Sequence, residues 1–370
     1  MIPFGITALN RFEHIADISY TANTPTNLPT QGGQLVDTRW CWGLLLTLEG
    51  RATMPGTGMP TAQEADGIAQ LIERVTMEGF HRVRQRNERF FDLRGADVDF
   101  LTKRWTLGAF PSAPTTWAYT ASATNDFREH LLVPFVPMGI TSKEQQAYLL
   151  DVPNYDTLKL TVQWGDSLSV FGAGTAPTLS AYGSATGSPK VRVAGLWALA
   201  GASRFVNRVP GRTFRYFQEL TGSLLTTTAT GVRMIDIPRG NVMRSITVKT
   251  GVKSTTVSSG NNAYVTLSDT ILANIKINRG INRPVRYYPL MHQIQCENVL
   301  QSMYSKSGYG VIDFARNGAL AESFDARPLV SGPSGQVDFF AEADVTGTTD
   351  QAATFIWEEI QALPIATTVR

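Results

Sequence analysis

The chain has 370 residues, 43% of them hydrophobic and 17% charged, with a formal net charge of +2. That length accommodates two domains with their own cores, and the near-neutral balance excludes a dedicated nucleic-acid binder, which needs a strong basic excess. The two cysteines, Cys41 and Cys296, fall in different halves, which excludes a disulfide framework and favours a reducing compartment.

Residues 1–34 are polar and turn-rich, with Pro25, Pro29 and Gly32-Gly33. They read either as an arm toward a neighbouring subunit or as a ribbon folded on their own domain. Asp37–Gly50 is a strand, apolar on both faces around Leu44–Leu46 and so expected to be covered on both sides. Ala62–Gly79 places Ile68, Leu71, Ile72 and Val75 at helical spacing behind a Thr61–Glu64 capping box, predicting an amphipathic helix. Phe80–Leu93 returns to strand, and Val98–Trp105 reads as a short helix. In Tyr155–Gly165, Leu158, Leu160, Val162 and Trp164 alternate with Thr157, Lys159, Thr161 and Gln163, as a half-buried strand requires. Gly172–Lys190 has no periodicity and reads as a surface loop; Val191–Leu199 is a further strand.

The second half repeats this plan. Thr213–Leu225, Val232–Pro238 and Val242–Val252 are strands, and Lys253–Tyr264 is an exposed loop. Ile271–Asn278 alternates, with Ile271, Ala273, Ile275 and Ile277 inward. Leu290–Tyr304 is helical, and strands in Gly308–Val345 and Thr354–Ile360 finish a sheet, with Val337, Phe339, Ala341, Ala343 and Val345 on one face. The offset between the halves, roughly 180 residues, is far beyond a solenoid period and suits one domain copied once. Many short strands with few helices predict an all-β fold of two tandem jelly-roll sandwiches with a few short connecting helices. The expected division is an N-terminal arm at 1–34, a first jelly roll at 35–203, a connector at 204–212 and a second jelly roll at 213–370.

Catalytic motifs are missing from the sequence. His14, His81, His130 and His292 show no metal-ligand spacing, and Glu129-His130 reads as a solvated or interfacial pair. No Gly-x-Ser-x-Gly, P-loop or dinucleotide fingerprint occurs. The carboxylate pairs Asp97/Asp99, Asp313/Glu322 and Glu358/Glu359 carry no sign of facing one another across a cleft. The reading is therefore not an enzyme, with no cofactor and no metal. Two basic clusters stand out. Arg82, Arg84 and Arg86 read as one face of a strand, with Arg89 just beyond, and suit either inter-subunit salt bridges or an anionic surface such as lipid headgroups or nucleic acid. Arg204, Arg208, Arg212 and Arg215 suit a polar seam between domains or subunits.

Four stretches carry a family resemblance: SITVKTGV, ILANIKINRG before a helix, YGVIDFARNGALAESFDA and QVDFFAEADV. With them the chain resembles the double jelly-roll major capsid proteins of tailless, icosahedral, membrane-containing bacteriophages of the tectivirus and corticovirus type. The resemblance covers the C-terminal half best, and reaches the N-terminal half through the internal repeat. It implies a homotrimer of pseudo-hexagonal outline, tiling a virion shell over an internal membrane after assembly in a bacterial cytoplasm. Minor capsid or vertex proteins are the implied partners, without sequence-specific nucleic-acid binding. A spike, tail or receptor-binding virion protein, and a carbohydrate-binding jelly roll or polysaccharide-degrading enzyme, are the competing readings.

Overall fold

A computed structural model of the chain describes residues 9–29, 35, 39–82, 85–114, 116–138, 148–172, 174–198, 213–221, 225–237, 242–253, 264–279, 284–315, 324–325, 339–347 and 350–361. The first half runs β1 (Leu9–Ser19), β2 (Pro25–Asn27), β3 (Trp40–Thr53), β4 (Ile72–His81), β5 (Arg86–Leu93), α1 (Gly95–Thr106) and β6 (Thr124–Pro134). It continues through β7 (Leu150–Asp151), β8 (Tyr155–Trp164), α2 (Leu168–Phe171), β9 (Thr178–Ser180) and β10 (Lys190–Ala198). The second half comprises β11 (Thr213–Thr221), β12 (Ala229–Asp236), β13 (Val242–Lys253), β14 (Tyr264–Leu267), β15 (Leu272–Arg279) and β16 (Pro284–Leu290). After these come α3 (Met291–Leu300), β17 (Tyr309–Asp313), β18 (Phe324–Asp325), β19 (Phe339–Val345) and β20 (Gln351–Gln361).

Each half is a sandwich of two antiparallel sheets with the same strand order. In the first, β1-β10-β3-β6 lies against β2-β8-β4-β5; in the second, β11-β20-β13-β17 lies against β12-β19-β15-β16. This interleaving of early and late strands is the jelly-roll topology, made twice. The sandwiches share an edge, where β5 meets β11 in parallel with Phe91 opposite Tyr216, so one sheet of each half becomes a single sheet.

Alternation supplies the cores. Leu158, Leu160, Val162 and Trp164 of β8 are buried as their period-two pattern predicts, facing Leu44, Leu46 and Leu48 of β3 and Phe127, Leu131 and Val133 of β6 within one core. Ile246 and Val248, Ile275 and Ile277, Ala343 and Val345, and Phe355 build the second core. The first core also takes in Tyr309, Val311, Ile356 and Ile360 from the second half, so the boundary between sandwiches is itself packed interior.

Several expectations are corrected. Ala62–Gly79 is not a helix: a short 3-10 turn at Gly67–Leu71 leads straight into β4. The misleading signal is a β-bulge between Ile72 and Arg74, which sets the buried Ile72 and Val75 three residues apart before strict alternation resumes through Met77 and Gly79. Phe80–Leu93 is the far part of a β4–β5 hairpin rather than one strand, with Arg82 and Gln85 in the turn. Within the N-terminal stretch, Leu9–Ser19 pairs with β10 and Pro25–Asn27 with β8, both within the first half's own sheets. The 172–190 stretch carries a three-residue strand, β9, against the end of β3. Residues 254–263 lie outside the described residues.

Candidate functional site: an ionic seam between the two halves

The most charged interior of the molecule lies where the halves meet, and α1 carries it. This helix is buried along nearly its whole length. It starts at Gly95, where a Cβ would come within 2.5 Å of the Ala69 carbonyl oxygen and 2.6 Å of that of Ile72. Glycine alone lets the helix approach the first half so closely. The opposite face turns to the second half: Phe100 stacks on Tyr309 with ring centroids 4.0 Å apart, and Asp97 and Arg104 flank it.

Two ion clusters result. In one, Lys249 of β13 pairs with Asp66 and, at 3.1 Å, with Asp97; Lys306 reaches Asp66 at 3.0 Å. The Tyr309 hydroxyl donates toward Asp66 at 3.2 Å and Asp97 at 3.1 Å. In the other, Arg104 meets Asp313 at 2.9 Å, Arg244 meets Glu358 at 2.6 Å, and Ser245 donates to Glu358 at 2.8 Å. Each cluster balances two cations against two carboxylates, which is the condition for holding charge out of water. Burial alone would discharge Lys249, but Asp66 and Asp97 outweigh it and hold its pKa above the ordinary value. Burial likewise pushes Asp66 up, while Lys249 and Lys306 outweigh it and bring it down to about 2. Tyr309 is driven well above its ordinary value by burial and the same two carboxylates, so it stays a donor.

This arrangement fastens; it offers no seat for a substrate. A cavity of about 20 Å³ beside Asp66, Gln70, Lys249 and Tyr264 holds one water molecule at most. Among the described residues no three His, Cys, Asp or Glu side chains are placed to hold a metal ion, and no helix is long and apolar enough to cross a membrane. Asp97 and Asp99 point to different partners, Asp99 joining Lys103 at 2.8 Å. Glu129 and His130 do not form a pair: Glu129 meets Lys103 at 3.1 Å, whereas His130 bonds Thr47 at 3.0 Å. Burial and the nearby Asp99 raise Glu129 to about 7 despite Lys103.

The arginines singled out in the sequence are distributed differently from the expectation of one strand face. Arg82 sits in the β4–β5 turn bonded to Asp156 at 2.6 Å, Arg86 bonds Glu88 at 2.9 Å, and Arg89 bonds Asp92 at 2.9 Å. Arg84, Arg204, Arg208 and Arg212 lie outside the described residues, as does the side chain of Arg215, whose backbone pairs with Glu359. The seam residues that the structure assembles were not singled out for that role. Their readable trace is a lysine or aspartate inside an apolar run, Lys249 in SITVKTGV and Asp313 in YGVIDF, where an unpaired charge would be prohibitively costly.

No protein-family model matches the chain, and no curated protein matches it in sequence. Solved structures do match in shape. The STIV major capsid protein superposes with a TM-score of 0.67 at 13% identity, covering 94% of this chain and 95% of that one. In the atomic structure of Sulfolobus Turreted Icosahedral Virus the values are 0.65, 14%, 95% and 90%. For the major capsid protein P2 of bacteriophage PM2 they are 0.54, 10%, 98% and 97%. The likeness spans both halves, and the chain has the double jelly-roll fold of these coat proteins.

Proposed function

We propose that this chain is the major coat protein of an icosahedral virion, three copies joining into a capsomer of pseudo-hexagonal outline that tiles the shell. The observation that carries the reading is the fold: the same jelly roll twice, over nearly the whole chain and nearly the whole of the STIV and PM2 coat proteins. The seam supports it mechanically. Two sandwiches of the same strand order, locked through buried ion pairs, form one rigid block presenting two similar wedges. Three such blocks supply six similar edges, which is what hexagonal tiling asks of one gene product.

On this reading the chain is a structural component of the virion rather than an enzyme, assembled in the host cytoplasm, with other copies of itself, vertex proteins and an underlying lipid membrane as partners. The link between the halves falls at 204–212, and Arg204, Arg208, Arg212 and Arg215 serve that region. Arg82, Arg86 and Arg89 already hold Asp156, Glu88 and Asp92 within the chain, which counts against a lipid-headgroup role for these three. Light scattering of the purified chain over a dilution series tests the proposal. The expected result is a constant mass of three times the 40.5 kDa chain. A monomer at every concentration would refute it.

A further inference from the structure

The two halves carry the same helix at the same place in the fold, and only one of the pair is covered. α1 follows β5 and α3 follows β16, the corresponding strands of the two sandwiches. Each helix is pinned to the strand after it by a side chain at a matching position. The Leu132 amide donates to Thr102 Oγ1 at 2.8 Å, and the Val311 amide donates to Asn298 Oδ1 at 2.9 Å. Aligning these anchors puts Gln293, Cys296 and Leu300 where α1 has Asp97, Phe100 and Arg104. The α1 residues are buried against the second half, whereas Gln293 and Cys296 are exposed and Leu300 is 86% exposed, beside Val299 at 58%.

The receiving surface is duplicated as well. With Leu132 matched to Val311, strand register matches His130 to Tyr309 and Thr47 to Lys249. Lys249 and Tyr309 are the residues that receive α1. Thr47 and His130 instead line an open groove of about 470 Å³, together with Glu49, Pro111, Ala113 and Arg128. The matched positions change character together. Asp97 with Lys249 becomes Gln293 with Thr47, both neutral and polar, and the charged Arg104 becomes the apolar Leu300. Pro111 and Ala113 add apolar wall for a leucine.

We propose that α3 of one copy seats in the Thr47–His130 groove of a second copy, repeating between chains the contact that α1 makes within one. This deepens the coat-protein reading and rests on it. The sheet edges agree: among the described residues β16 pairs only with β15 and β1 only with β10, so the β5–β11 junction is repeated between β16 of one copy and β1 of the next. Each copy offers one helix and one groove, a head-to-tail contact that closes into a ring of three.

Cys296 is exposed and Cys41 is buried, so His130→Cys creates one designed pair across the contact. Treatment with a short bis-maleimide is expected to give a covalent ladder ending at three chains, abolished by adding Cys296→Ser. Leu300→Glu, at a position exposed in the single chain, is expected to leave the circular dichroism unchanged and to raise the concentration needed for trimer at least ~10-fold. If the His130→Cys protein is trimeric yet fails to crosslink, or the Leu300→Glu trimer persists to the same dilution as the unaltered chain, this contact is wrong while the coat-protein reading stands. If the unaltered chain is monomeric, both fall.

Discussion

Replacing Lys249 with methionine strikes the seam at its centre. The lysine side chain is 1% exposed, and the Asp66 and Asp97 side chains it joins are 2% and 0% exposed, so none of the three regains water when the pair is broken. Removing one partner of a buried ion pair costs about 3–5 kcal/mol, because the other charge is stranded. Lys306 still holds Asp66 and the Tyr309 hydroxyl still reaches Asp97, which places the expected loss at the lower end, about 3 kcal/mol. Adding Asp97→Leu removes the stranded charge and leaves Asp66 paired with Lys306, so the double variant should recover most of the loss. Urea unfolding followed by tryptophan fluorescence measures both, provided the slope with denaturant stays constant. A Lys249→Met loss below about 1 kcal/mol, or a double variant no better than the single, would refute the view that this cluster balances charge across the seam.

Four further outcomes follow from the same geometry. Asp66 is lowered from 3.8 to about 2, so its contribution is complete above pH 3.8 and is lost as pH falls through about 2. That loss amounts to about 2 kcal/mol, and Asp66→Asn should flatten this acid limb in a pH series of thermal unfolding. Glu129 behaves oppositely. Raised from 4.5 to about 7, it contributes stability below pH 4.5 that disappears as pH rises through about 7, so Glu129→Gln should remove a decline in stability over that interval. Phe100→Ala, which unstacks Tyr309, should cost about 3–5 kcal/mol in the same urea assay. Gly95→Ala, with its new Cβ against the Ala69 and Ile72 carbonyls, should cost about 1–3 kcal/mol by overpacking, measured by calorimetry.

Much of this architecture can be read from residues whose burial depends only on local period. The β8 run Leu158, Leu160, Val162, Trp164 and the inward Ile275 and Ile277 of β15 alternate because one sheet face is core, and any strand with that pattern does the same. The 62–79 stretch misleads because a bulge counts one extra residue, and an extra residue in a period of two looks locally like a period near 3.6. The β4–β5 hairpin is hidden by Arg82 in its turn and Arg86 at the start of β5, whose charges read as one continuous face. The seam is the least legible part. Lys249 and Asp97 lie 152 positions apart, and nothing local to either says which distant charge will neutralise it. What can be read is only that Lys249, set in an apolar strand, must have such a partner. The duplication is visible as an offset between similar runs, but its consequence, one covered helix and one exposed helix, requires the register of β3, β6, β13 and β17.

The most direct test of the account is negative-stain electron microscopy of the purified chain, class-averaged in projection. The account predicts three-chain particles with a six-lobed outline, each lobe one sandwich. Two-lobed single chains, or oligomers with twofold symmetry, would contradict it.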